Sequence, residues 1–201
     1  MPERHNQSGM TLVEILVAMV MMGIIITGIY NLFRVHNLMA AKQEETTMMQ
    51  QELLTSLVII SDDLRMCGYT PLNQDKIFGM KESGTNGTDT TETSVYCTRG
   101  GTSEESATVH IAYRRNNQNQ ILLYNSENDT WEIAASNISN LIFTYFDEDE
   151  TIVASPVNAS TISNIRMIEI NATAIPSPER SALGITSRNM HTRVWLRNLD
   201  F

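Results

Sequence analysis

Apolar residues are distributed along this chain in three ways, and each predicts a different kind of element. From Met10 to Phe33 they run almost unbroken, and Glu14 is the one charged side chain before Arg34. Roughly two dozen residues at about 1.5 Å each reach across a hydrocarbon layer of about 30 Å. From Met49 the run thins to a stripe. Met49, Leu53, Leu57, Ile60 and Leu64 recur every three or four positions, which is one face of an amphipathic helix. No proline falls between Met10 and Cys67, and Gly68 followed by Pro71 supplies a stop. The two patterns join into one helix, on the order of 80 Å long. Gly23 and Gly28 are weak points in it, each costing about 1 kcal/mol relative to alanine. The Glu44-Glu45-Thr46-Thr47 stretch interrupts the stripe and is expected to face water. Met21-Met22 and Met48-Met49 read as packing residues, since the recurring Met motif of a copper site is absent.

The third pattern is alternation. It occupies short segments: Ser94–Cys97, Thr108–Tyr113, Gln120–Tyr124, Thr130–Ile133, Leu141–Phe146, Ile165–Ala174 and Thr192–Arg197. In the sixth, Ile165, Met167, Glu169 and Asn171 alternate with Arg166, Ile168, Ile170 and Ala172. This predicts an antiparallel sheet with one face packed on the amphipathic half of the helix, an α+β fold. Residues 81–94, rich in Gly, Thr, Ser and Glu, read as an exposed flexible loop. Asp147-Glu148-Asp149-Glu150 reads as a hairpin tip, because the Gly-containing loop and distal Glu of an EF-hand are missing.

Composition removes several function classes. The 201 residues carry 14 Lys and Arg against 23 Asp and Glu, a net charge of −9, which opposes a broad grip on nucleic acid or anionic lipid. The one adjacent basic pair, Arg114-Arg115, reads as a solvated strand end. His5, His36, His110 and His191 are scattered, and no His-Glu-x-x-His, Cys-x-x-Cys, Gly-x-Ser-x-Gly or phosphate-binding glycine loop occurs. No enzyme, metal or cofactor is expected from these residues. Cys67 and Cys97 are the only cysteines. A bridge between them would close a loop of about thirty residues, contributing roughly 3.5 kcal/mol by chain-entropy arithmetic. The alternative is two free thiols packed as small hydrophobes, and the bridge is favoured because the enclosed loop has little core of its own.

Glu14 needs a reason to stand in an apolar helix, since a carboxylate at a bilayer centre costs about 2.5–3.5 kcal/mol on insertion scales. A secretory signal would need a small-x-small site beyond its apolar core, and Ile29-Tyr30-Asn31-Leu32-Phe33 offers none. A generic anchor fits the length and leaves Glu14 unexplained. A cut after Gly9 would make Met10 a cationic N-terminus one helical turn from Glu14. Such an amine and carboxylate neutralise each other in lipid and set a register that apolar packing alone does not.

The decapeptide Gly-Met-Thr-Leu-Val-Glu-Ile-Leu-Val-Ala, from Gly9 to Ala18, resembles the processing site of type IV prepilins and pseudopilins. The resemblance implies cleavage after Gly9 by prepilin peptidase, N-methylation of Met10 (where the family usually has Phe), and docking of Glu14 on a neighbouring subunit's amine. It also implies inner-membrane insertion with a periplasmic C-terminal domain, then assembly with other pilins through an inner-membrane platform. The expected organisation is a leader over 1–9, a membrane and assembly helix over 10–33, an amphipathic half over 34–68, and a β-rich domain over 69–201. Three shorter matches are similar to PilW-like minor pilins: Asp62-Asp63-Leu64-Arg65-Met66-Cys67-Gly68-Tyr69, the Ile-x-x-Leu-x-Phe-x-Tyr segment from Ile138 to Tyr145, and Val194-Trp195-Leu196-Arg197-Asn198. A J-type pseudopilin of type II secretion and a membrane-anchored adhesin or DNA-uptake component remain as alternatives.

Overall fold

The structure, a computed structural model, describes residues 11–71, 78–82, 89–101 and 108–198. One helix, α1 (Leu12–Arg65), precedes nine strands: β1 (Gly79–Met80), β2 (Ser94–Gly100), β3 (Thr108–Arg115), β4 (Ile121–Asn125), β5 (Thr130–Ala135), β6 (Ile138–Phe146), β7 (Ile152–Val153), β8 (Met167–Ala174) and β9 (Arg188–Trp195). Short 3₁₀ helices at Ile162–Asn164 and Pro178–Leu183 lead into β8 and β9. The fold is α+β, a long N-terminal helix packed on antiparallel sheets.

The chain divides between Glu44 and Glu45 into two compact units. In the first, the helix keeps its apolar side chains exposed from Leu12 through Met39. It runs through Gly23 and Gly28 without a break, and the Thr27 hydroxyl donates to the Gly23 carbonyl at 2.8 Å.

In the second unit the expected stripe becomes the core. Met49, Leu53, Leu57, Ile60 and Leu64 are buried, and they pack with Val95, Ile111, Tyr113 and Ile121 of one sheet and Leu141, Phe143, Ile168 and Ile170 of another. There are two sheets where a single one was expected. The first has five strands in the order β1-β2-β3-β4-β5, and the second has four in the order β7-β6-β8-β9. The break falls at Ser136-Asn137, where Asn137 adopts a left-handed backbone (φ 58°) that asparagine tolerates better than most residues. Its carbonyl accepts from the Ile175 N–H at 2.8 Å, so the turn that separates the sheets is itself anchored. The sequence shows only two polar residues there.

The Ile-x-x-Leu-x-Phe-x-Tyr spacing has a structural cause. Ile138, Leu141, Phe143 and Tyr145 are all buried on β6, although the first pair is three positions apart and the others are two. A register shift between Ile138 and Asn140 supplies the extra residue, as a β-bulge does.

The helix ends as its residues suggest. Met66 and Cys67 donate to the carbonyls of Asp63 and Leu64, tightening the last turn, and Gly68 turns left-handed at φ 78°. The Gly68 N–H then donates across to Thr98 on β2 at 3.0 Å. Close by, Gly100 lies against the Pro71 ring, where a Cβ would stand 2.2 Å from the proline Cδ.

Within residues 81–94 the described part is mixed: Glu82, Asp89, Glu92 and Thr93 are exposed, as expected of a loop, while Thr90 is not. Thr90 is fully buried, its N–H donates to Glu82, its carbonyl accepts from Val157, and the Glu92 carbonyl accepts from Phe143. The Tyr145 hydroxyl reaches the Thr91 carbonyl at 2.7 Å and that of Ser94 at 3.0 Å. Hydroxyl-rich residues look like a solvated linker in sequence, yet here the backbone around Thr90 is tied to β6 and to Val157. Residues 83–88 lie outside the described residues.

Candidate functional site

The candidate site begins at the first helical turn. Ile15 donates to the Thr11 carbonyl, which makes Thr11 the N-cap, and the Glu14 N–H donates to Thr11 Oγ1 at 3.3 Å. Glu14 reaches back in return: its Oε2 accepts from the Thr11 N–H at 2.9 Å and from the Thr11 hydroxyl at 3.1 Å. This is a capping box, in which N-cap and third helical residue satisfy each other's amide groups. The Thr11-x-x-Glu14 spacing is the sequence signature of this box. Gly9 and Met10 lie outside the described residues.

Helix α1 is long and apolar enough to cross a membrane, and its most apolar stretch is not buried within the chain. Residues 4–30 match the family described as the prokaryotic N-terminal methylation motif. The chain carries a prepilin-type N-terminus. That match spans Gly9, Met10 and Glu14, and it is confined to a short first part of the chain. No curated protein matches the sequence.

The second unit grips its half of the helix through carboxylates. Glu45 was expected in water. It is only 4% exposed, because it lies four residues before Met49 on the same face. Its Oε1 accepts from the Ser177 N–H at 2.6 Å, and Arg180 Nε lies 3.7 Å from its Oε2. One heptad on, Glu52 Oε1 accepts from the Ser136 N–H at 2.9 Å. Farther along, Asp63 accepts from the buried Tyr113 hydroxyl. At the helix end, Asn198 Nδ2 donates to the Arg65 carbonyl at 3.2 Å, so the last described residue caps α1. These acceptors were not singled out from the sequence, although Glu45 and Glu52 fall on the periodic stripe. A cleft of about 350 Å³ beside them is lined by Glu45, Met48, Glu52, Ser136, Ser177 and Arg180, and both of its helix carboxylates are engaged by loop amides.

Cys67 and Cys97 are joined in a disulfide with Cα atoms 5.8 Å apart, linking the helix end to β2. Arg114 differs from a simple solvated strand end: its guanidinium lies 4.1 Å from the Trp131 ring centre, a cation–π contact. Arg115 donates to the Asn116 carbonyl and to Asn119. On the same outer face of the first sheet, His110 stacks on Tyr96, bonds its hydroxyl through Nδ1, and meets Tyr124 edge-on. Burial lowers the His110 pKa, opposed by the negative charge of Asp129. At the β6–β7 turn, Asp147 Oδ1 accepts from the backbone of Asp149 and Thr151. Among the described residues no three His, Cys, Asp or Glu side chains gather as a metal site.

Proposed function

We infer that this chain is a PilW-like minor pilin, cut by prepilin peptidase after Gly9 and inserted into a type IV pilus through its apolar helix. The observation that carries the reading is the methylation motif over residues 4–30 on a helix whose apolar side chains find no cover within the chain. In this reading the chain first sits in the inner membrane with its second unit in the periplasm, and then joins other pilins in the filament.

The capping box gives Glu14 a defined role in that process. Before assembly, its carboxylate is held by Thr11 within the same chain, which offsets part of the cost of a charge near lipid. On assembly, the new Met10 amine of a neighbouring subunit is a stronger partner than a neutral hydroxyl, because both groups are ionised. Exchange of one partner for the other sets the axial register of the helices. The segments resembling PilW-like proteins support the finer assignment by their places: the helix end, the bulged core strand β6, and the Asn198 that caps α1.

Mass spectrometry of the mature protein tests the proposal. The expected N-terminus is N-methylated Met10; an intact Met1, or a cut elsewhere, would overturn it. Co-purification with pilus components, against secretion-system components, separates the minor pilin from a J-type pseudopilin.

A further inference from the structure

The second sheet ends on β9 with no further strand beside it among the described residues, and β9 pairs with β8 in unbroken register over eight residues. It contains no proline or bulge, and the charges it presents are Arg188 and Arg193. Beyond that edge the helix keeps an apolar face. Leu54 is 58% exposed and Val58 47%, and with Ser61, Met190 and Thr192 they line a groove of about 460 Å³. The sheet therefore stops one strand short of covering this part of the helix.

Charge points to what would cover it. Between residues 188 and 198 the chain carries Arg188, Arg193 and Arg197 with no carboxylate, although the whole chain is acidic. Arg193 is paired with Glu169 of β8 at 2.6 Å, which leaves this edge with a net positive charge. The opposite pattern occurs at the β5 edge of the other sheet, which has no further strand beside it among the described residues. From residue 125 to 135, β5 and its turn carry Glu127, Asp129 and Glu132 with no lysine or arginine. β5 also alternates suitably. Trp131 and Ile133 fall on one side of the strand, with Ile133 60% exposed, while Thr130 and Glu132 fall on the other.

We propose that the β5 edge of a second copy of this chain adds to the β9 edge as a further strand. Trp131 and Ile133 of the incoming copy lie on the Leu54–Val58 groove, beside the side of β9 that carries Met190 and Thr192. Glu132 lies on the opposite side, which carries His191 and Arg193. The two edges are different surfaces, so the contact is heterologous and copies add head to tail. It is independent of the N-terminal reading and uses only the second unit.

Full-length protein in detergent tests this by mixing one population carrying Ile133→Cys with another carrying Thr192→Cys, the native disulfide being left intact. Mild oxidation is expected to give mixed dimers well above those from a control pair, Ser181→Cys with Thr192→Cys. Adding Glu132→Lys to the first population, or raising salt to about 1 M, where the screening length is about 3 Å, should lower the yield several-fold. Circular dichroism confirms that each variant is folded. Mixed dimers no more abundant than the control, a yield insensitive to both charge changes, or β9 cysteines that link in cells only to a different polypeptide would each overturn the proposal.

Discussion

Glu45 lies on the same helix face as Met49 and Leu53, and its position inverts what a charged residue at a stripe's edge suggests. The carboxylate is buried because it serves the Ser177 amide, with the Arg180 guanidinium beside it. Removing it would leave a half-buried N–H without its acceptor, a loss of up to about 1–3 kcal/mol. Glu45→Ala is therefore expected to lower stability by about that amount, and Glu45→Gln, which keeps an acceptor, by less. Urea titration followed by tryptophan fluorescence reads this directly, since Trp131 and Trp195 both belong to the second unit. Equal loss in both variants would locate the effect in the charge instead.

Two buried tyrosines and one histidine bound the pH range. Burial raises the pKa of Tyr113, with the Asp63 carboxylate adding to the shift, and burial alone raises that of Tyr145. The native state then keeps both protons above about pH 10, where the unfolded chain releases them, so stability must fall as pH rises through that region. His110 works at the other end. Its lowered pKa means that the unfolded chain binds a proton first, so stability declines as pH drops below about 6.5. Melting temperatures across pH should show both slopes. Tyr145→Phe should weaken the alkaline slope and His110→Gln the acidic one.

At the scale of elements, the Cys67–Cys97 link closes a loop of 30 residues and ties α1 to β2. Cys67→Ser with Cys97→Ser is expected to cost roughly 3.5 kcal/mol, measured by denaturant titration against the oxidised parent. Gly100→Ala should also destabilise, because its methyl group would meet the Pro71 ring. The long helix was legible because its two patterns share one period and no proline interrupts them. The longer strands were legible through alternation, most clearly in β8, where Ile168, Ile170, Ala172 and Ala174 are all buried. β1 and β7 are two residues each and have no period to read. The division into two sheets depends on one left-handed asparagine, and the order of the buried turn at Thr90 depends on partners far along the chain. Glu14 stood out in the sequence as an isolated charge. The Thr11 half of its capping box has an equally local signature, a threonine three residues before the carboxylate, set inside an apolar run.

For the whole molecule, the two units divide the work. Glu45–Phe201 holds its own core, while the apolar side chains of the helix before Glu45 have no cover of their own. Under the proposed function, a variant can therefore lose assembly without losing its fold. Glu14→Ala is expected to leave cleavage and the stability of the second unit unchanged, and to reduce the amount recovered in sheared filaments. Quantitative immunoblotting of filament and membrane fractions checks this. Wild-type recovery would remove Glu14 from the docking role.

The disulfide has a mechanical consequence as well. Tension applied at the start of the helix and resisted at the end of the chain would follow the backbone to Cys67 and cross the sulfur bridge to Cys97. The segment between the two cysteines, a sequence separation of 30, would carry no load. At about 3.5 Å per residue, roughly 100 Å of chain stays out of reach of stretching. In force spectroscopy, a reducing agent should lengthen the fully extended protein by about that distance.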